Sequence, residues 1–165
     1  MKKFMFLIAA LMVMAGASTA FAESHGSTLV PAMRDYCYAE LKYIATQVYL
    51  SNITSEEVEC TVRFYDHDGN DIGDEAKIYT GAYNTSRAKH LSTGSTFSIP
   101  ANSTRRVAFS DTSAQRHVMG YAIIEWKANN DKIGKALIGA VCYYQRTGTS
   151  LYTAGYVQIN NGQPF

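Results

Sequence analysis

The sequence has 165 residues, 47% of them hydrophobic, and sets 15 Lys and Arg against 14 Asp and Glu. A chain of this length buries enough surface to hold one core without a metal or disulfide staple. The even charge balance gives no footing for nucleic acid or an anionic membrane as a partner.

Lys2 and Lys3 open the chain, Phe4 to Ala15 is apolar, and Ala20-Phe21-Ala22 supplies the small residues a signal peptidase needs. Residues 1–22 are read as a Sec signal peptide cleaved before Glu23, and the protein as exported to the periplasm, the cell surface or beyond. The apolar run is short of the about 20 residues of a spanning helix. No second stretch reaches that length, so no transmembrane anchor is expected in the mature chain. Taking Lys2 and Lys3 from the 15 basic residues leaves 13 against 14 acidic ones. Residues 23–34, polar and interrupted by Pro31, are read as a flexible leader, and 35–165 as one domain.

Strand signals then follow in order. Tyr43 to Leu50 places Ile44, Val48 and Leu50 on one side and Tyr43, Gln47 and Tyr49 on the other. Glu57 to Tyr65 alternates strictly, with Val58, Cys60, Val62 and Phe64 facing one way. The short polar connection Ser51 to Glu56 predicts that these two strands form a hairpin. Asp71 to Tyr79, Thr96 to Ile99 and Thr104 to Phe109 come next. Residues 80–95 form the longest irregular stretch, of the kind that is often functional. Val118 to Lys127 and Lys135 to Gln145 carry near-continuous apolar runs, which suggests cover on both sides, as by another subunit. Leu151 to Ile159 is the last strand, and Asn160 to Phe165 reads as a tail. Helical periodicity is weak throughout. The expected fold is all-β: an immunoglobulin-like antiparallel sandwich of about seven to eight strands.

Three cysteines, Cys37, Cys60 and Cys142, remain after the leader. In an oxidising compartment one disulfide is expected, and Cys60 with Cys142 is the favoured pair because both sit at apolar-facing strand positions. The competing reading makes all three small buried hydrophobes. Asp66, Asp68, Asn70 and Asp71 form the densest oxygen cluster, which would offer Ca²⁺ its hard ligands. Against this, Asp68-Gly69 sets a tight turn whose acids solvate the tip. No other cofactor is indicated. His25, His67, His90 and His117 have no metal-ligand spacing, and no Cys-x-x-Cys, His-Glu-x-x-His or Gly-x-Ser-x-Gly occurs. The chain is therefore read as non-enzymatic.

Two candidate surfaces remain. Tyr43 and Tyr49 on one strand and Tyr65 on its expected hairpin partner would form an aromatic platform suited to sugar rings or a protein. Arg87, Lys89 and His90 make the 80–95 stretch mildly basic, fit for an anion or an acidic glycan.

The segments Leu50 to Thr54, Val62 to Asn70, Phe97 to Arg105, Gly120 to Trp126 and Ile159 to Phe165 together carry a resemblance. The chain resembles small secreted bacterial β-sandwich proteins of uncharacterised role, and is more faintly similar to the sandwich of the sensory-rhodopsin transducers. The resemblance implies a fold and an exported location, and no catalytic or ligand residues. The leading expectation is a surface, periplasmic or matrix interaction module that binds a protein or itself. The alternative is a carbohydrate-binding accessory domain. A secreted hydrolase and a small outer-membrane barrel, the latter from the terminal Phe165, are lesser alternatives.

Overall fold

Alternation decides the inside of this molecule. The computed structural model describes residues 23–39, 42–81, 88–109 and 117–165, so the expected signal peptide and Arg87 lie outside the described residues. The described chain contains ten strands: β1 (Ser24–Ala39), β2 (Lys42–Asn52), β3 (Val58–Tyr65), β4 (Lys77–Thr80), β5 (Lys89–Thr93), β6 (Thr96–Ile99), β7 (Thr104–Phe109), β8 (His117–Ala128), β9 (Leu137–Thr147) and β10 (Ser150–Gln158). Every pairing between them is antiparallel. The all-β expectation holds, and the strands belong to one sheet that curls nearly into a barrel.

The curl has two runs. One is β6-β3-β8-β1; the other is β10-β9-β2-β7-β4-β5. They meet at a corner on β2. One edge of β2 pairs with β9 along its whole length, and the other is shared between β1, at Lys42 to Ile44, and β7, at Thr46 to Ser51. Thr46 sits at the handover. Its hydroxyl accepts from the Arg34 N–H at 2.9 Å and donates to the Arg34 carbonyl at 2.7 Å. A side chain thus continues the ladder where the backbones part, and no polar backbone group is stranded.

The two runs share one core. On β3, Val58, Cys60, Val62 and Phe64 are buried, as alternation predicts, and Val118, Ala122, Ile124 and Trp126 line the inner side of β8. From the other run come Val48, Leu50, Ile78, Val107, Phe109 and Val141. Phe64 stacks on Phe109 at 5.4 Å between ring centroids and ties the runs together.

Several sequence expectations are corrected. Residues 23–34 are no leader. From Ser24 they form the first half of β1, in register with β8 from Ser24 opposite Ala128 to Val30 opposite Ala122. Pro31 falls at the bulge between Val30 and Met33, where a missing N–H is harmless. The expected hairpin does not form, because β2 and β3 lie in different runs. Asp71 to Tyr79 is a 3-10 turn at Gly73–Glu75 followed by β4, and the irregular 80–95 stretch contains β5.

The tail is a lock. Asn160 and Asn161 take left-handed conformations, which turn the chain back. Phe165 then donates its N–H to the Leu137 carbonyl and accepts from the Leu137 and Ala136 N–H groups, with its ring in the core. The expected Cys60–Cys142 disulfide does not form: Cys37, Cys60 and Cys142 are all buried and none is bridged. Cys60 faces the core beside Val58 and Val62. Cys142 alternates with core-facing Val141 and points out of the sheet, so a sheet layer separates the two thiols. Burial pushes the Cys60 thiol well above its ordinary pKa.

Candidate functional site

Outward residues of neighbouring strands meet in rows, and register decides which ones. On the run β10-β9-β2-β7-β4-β5, Tyr49 of β2 stands opposite Arg106 of β7, Arg106 opposite Tyr79 of β4, and Tyr79 opposite His90 of β5. All four belong to the outer face, since the alternating Leu50, Val107 and Ile78 are core residues. The Arg106 guanidinium carbon lies 4.3 Å from the Tyr79 ring centroid, a cation–π contact. The Tyr79 and His90 rings are 5.4 Å apart. The Tyr49 hydroxyl donates to Gln47 Oε1 at 3.0 Å, which fixes that ring on the sheet. Tyr156 on β10 stands opposite Cys142, which itself stands opposite Gln47. Its hydrogen bond with the Cys142 thiol raises the Tyr156 pKa, yet the side chain is 66% exposed.

The expected residues are thus partly gathered. Tyr49 and His90 share one row. Lys89 is exposed at the start of β5, opposite Thr80. Tyr43 is half-buried at the far end of β2, beside a groove of about 340 Å³ lined also by Tyr36, Lys42 and Arg146. Tyr65 is elsewhere, on the other run, stacked on Tyr121 at 5.0 Å. The three-tyrosine platform required the absent hairpin. Tyr79 and Tyr156 were missed as site residues. Their outward strand positions were the available signal, but the register that joins them spans strands distant in sequence.

The Asp66 to Asp71 loop closes on itself. Asp66 Oδ1 accepts from the N–H groups of Asp68 at 2.9 Å and Asn70 at 2.8 Å, and the Asn70 side chain adds a bond to Oδ2 at 3.0 Å. Gly69 takes the left-handed conformation that the turn requires. The Asn70 bonds hold the Asp66 carboxyl below its ordinary pKa. Asp71 Oδ1 caps the Gly73 N–H at 2.9 Å, while the Asp68 carboxylate lies 3.6 Å from His67 Nε2. Among the described residues no group of three His, Cys, Asp or Glu converges on a metal-sized position.

The other run presents a different outer face. Met119, Tyr121 and Ile123 follow one another along β8, with Leu29 of β1 opposite Ile123 and Tyr65 of β3 opposite Tyr121. Leu29, Met119 and Tyr121 are 55%, 53% and 38% exposed. Ion pairs border this strip: Arg63 with Glu125 at 3.3 Å and Lys127 with Glu59 at 3.1 Å. A hydrogen bond with Tyr65, then the Glu125 charge, raise the Arg63 pKa, and the Glu59 carboxylate does the same for Lys127. Among the described residues no helix is long and apolar enough to cross a membrane. No family model matches the chain, and no curated protein or solved structure matches it.

Proposed function

We propose that the chain is an exported, non-enzymatic interaction module of the periplasm, cell surface or matrix, and that it self-associates through the outer face of β1, β3 and β8. The observation that carries this reading is the contiguous strip of Leu29, Ile123, Tyr121, Tyr65 and Met119 on a sheet whose inner side already forms the core. Single exposed apolar residues are ordinary; a continuous strip with a polar border is the anatomy of an interface. The border supports a second copy as the occupant. It carries both signs in adjacent pairs, so a two-fold axis that runs between the charges of a pair sets each against its opposite. Export rests on Lys2, Lys3, the apolar run and Ala20-Phe21-Ala22. We take the curled sheet to be an immunoglobulin-like sandwich in its finer description, since two runs face each other across one core.

The test is the solution mass of the secreted protein by size exclusion with light scattering, over a wide concentration range. A defined dimer or larger oligomer is expected, and Met119→Lys or Leu29→Lys should return it to a monomer with an unchanged melting curve. A monomer at every concentration removes the self-association reading. Mass spectrometry of the exported protein should find Glu23 at its N-terminus; a chain retained intact in the cytoplasm overturns export.

A further inference from the structure

The six adjacent strands β10-β9-β2-β7-β4-β5 contain no Asp or Glu at all. Their charges are Lys42, Lys77, Lys89, Arg105, Arg106 and Arg146, with His90 beside them. The chain as a whole is close to neutral, and among the described strands only β1, β3 and β8 carry carboxylates, at Asp35, Glu59 and Glu125. A sheet of one charge sign attracts anions even on a neutral protein.

A second observation places the anion. Among the described residues Arg106 makes no ion pair, and its Nε is buried without a hydrogen-bond partner. It is held in place by the Tyr79 ring and stands opposite Tyr49 on the next strand. An arginine fixed by stacking, with hydrogen-bonding capacity to spare, is pre-organised for a planar or tetrahedral oxyanion. Tyr49 and Tyr79 stand one strand away on either side of it, two strand spacings or about 10 Å apart, a span comparable to two hexoses in a polymer. Exposed Tyr156 adds a third ring one row away. Nucleic acid would call for a dense run of cations matched to successive phosphates; this face offers one fixed arginine between rings.

We propose that the outer face of this six-strand run binds an acidic polysaccharide laid across the strands, with a carboxylate or sulfate on Arg106 and sugar rings on Tyr49 and Tyr79. This site is on a different face from the self-association strip, so the two proposals stand or fall separately.

The experiment is calorimetric titration of the protein with polygalacturonate, dextran sulfate, unsubstituted dextran and single-stranded DNA. At least one acidic polymer should bind and plain dextran should not; the two acidic polymers separate carboxylate from sulfate as the recognised group. Arg106→Gln should weaken binding by about tenfold, the scale of one lost charged hydrogen-bonded contact, and Arg106→Lys by less. Tyr49→Phe should bind as the parent does, and Tyr49→Ala should not. If Arg106→Gln lowers the melting temperature, Tyr156→Ala and His90→Gln, both at exposed side chains, decide the matter by weakening binding with an unchanged melt. Absence of binding to either acidic polymer overturns the site. So does equal binding of DNA that persists in every ring-deleting variant, since that describes a general polyanion surface.

Discussion

A side chain as small as one methyl tests this packing. At Gly120 an added Cβ would run into the Tyr65 carbonyl on the neighbouring strand, and at Gly26 it would come within 2.5 Å of Trp126 Nε1. Backbone cannot move aside as a flexible side chain can. Gly120→Ala should therefore cost about 3 kcal/mol or more, read as a lower urea midpoint at constant slope. A variant with an unshifted midpoint would mean that β3 and β8 separate freely there. Asp66 gives a prediction in pH. Its folded pKa is depressed by the Asn70 bonds, so its stabilising effect is present above the unfolded value and is lost as pH falls through the folded one. Asp66→Ala should lower the melting temperature at neutral pH, and the gap from the parent should close in strong acid. A gap that persists there would place the effect in packing rather than in the carboxylate.

At the scale of the strand, the C-terminal lock is the clearest dependency. Phe165 completes the ladder at Leu137 and fills the core with its ring. Phe165→Ala should cost about 3–5 kcal/mol, measurable in urea, as other large-to-small core changes do. A loss under about 1 kcal/mol would show that the last turn is dispensable. The wet face of β3 was legible in the sequence because it alternates strictly, whereas β8 was legible as a strand but its apolar run pointed to cover on both sides. β1 was not legible as a strand, because its inward positions Gly26 and Thr28 are too small to mark a face, and Pro31 at its bulge looks like an end. The hairpin expectation failed for a different reason. A short connection makes pairing cheap but does not compel it, and Ser51 to Glu56 instead carries the chain from one run to the other. The site was legible by halves on the same grounds. Tyr49 was visible as an outward strand residue and His90 as part of a basic stretch, while their joining through Arg106 and Tyr79 depends on register across β2, β7, β4 and β5.

For the whole molecule, the buried, unbridged thiols set a measurable expectation. Cys37, Cys60 and Cys142 are all buried and none is bridged. Reductant should leave the melting temperature and the solution mass unchanged, and a thiol reagent should label three groups only on unfolding. A lowered melting temperature in reductant would restore a disulfide to the account. The two outer faces divide the surface by chemistry: one is apolar with paired charges, the other aromatic and free of carboxylates. If both proposals above hold, the molecule bridges, with its own copies on one side and a charged polymer on the other.

The pairing of β1 with β8 and β2 with β9, closed by Phe165, also sets an order in time. The first strand to be synthesised, β1, waits for β8, and one whole edge of β2 waits for β9, so the sheet stays incomplete until the C-terminal third has been made. Such topologies fold late and slowly. On the export proposed above, that late closure would keep the chain threadable through a translocation channel until Phe165 completes the ladder at Leu137.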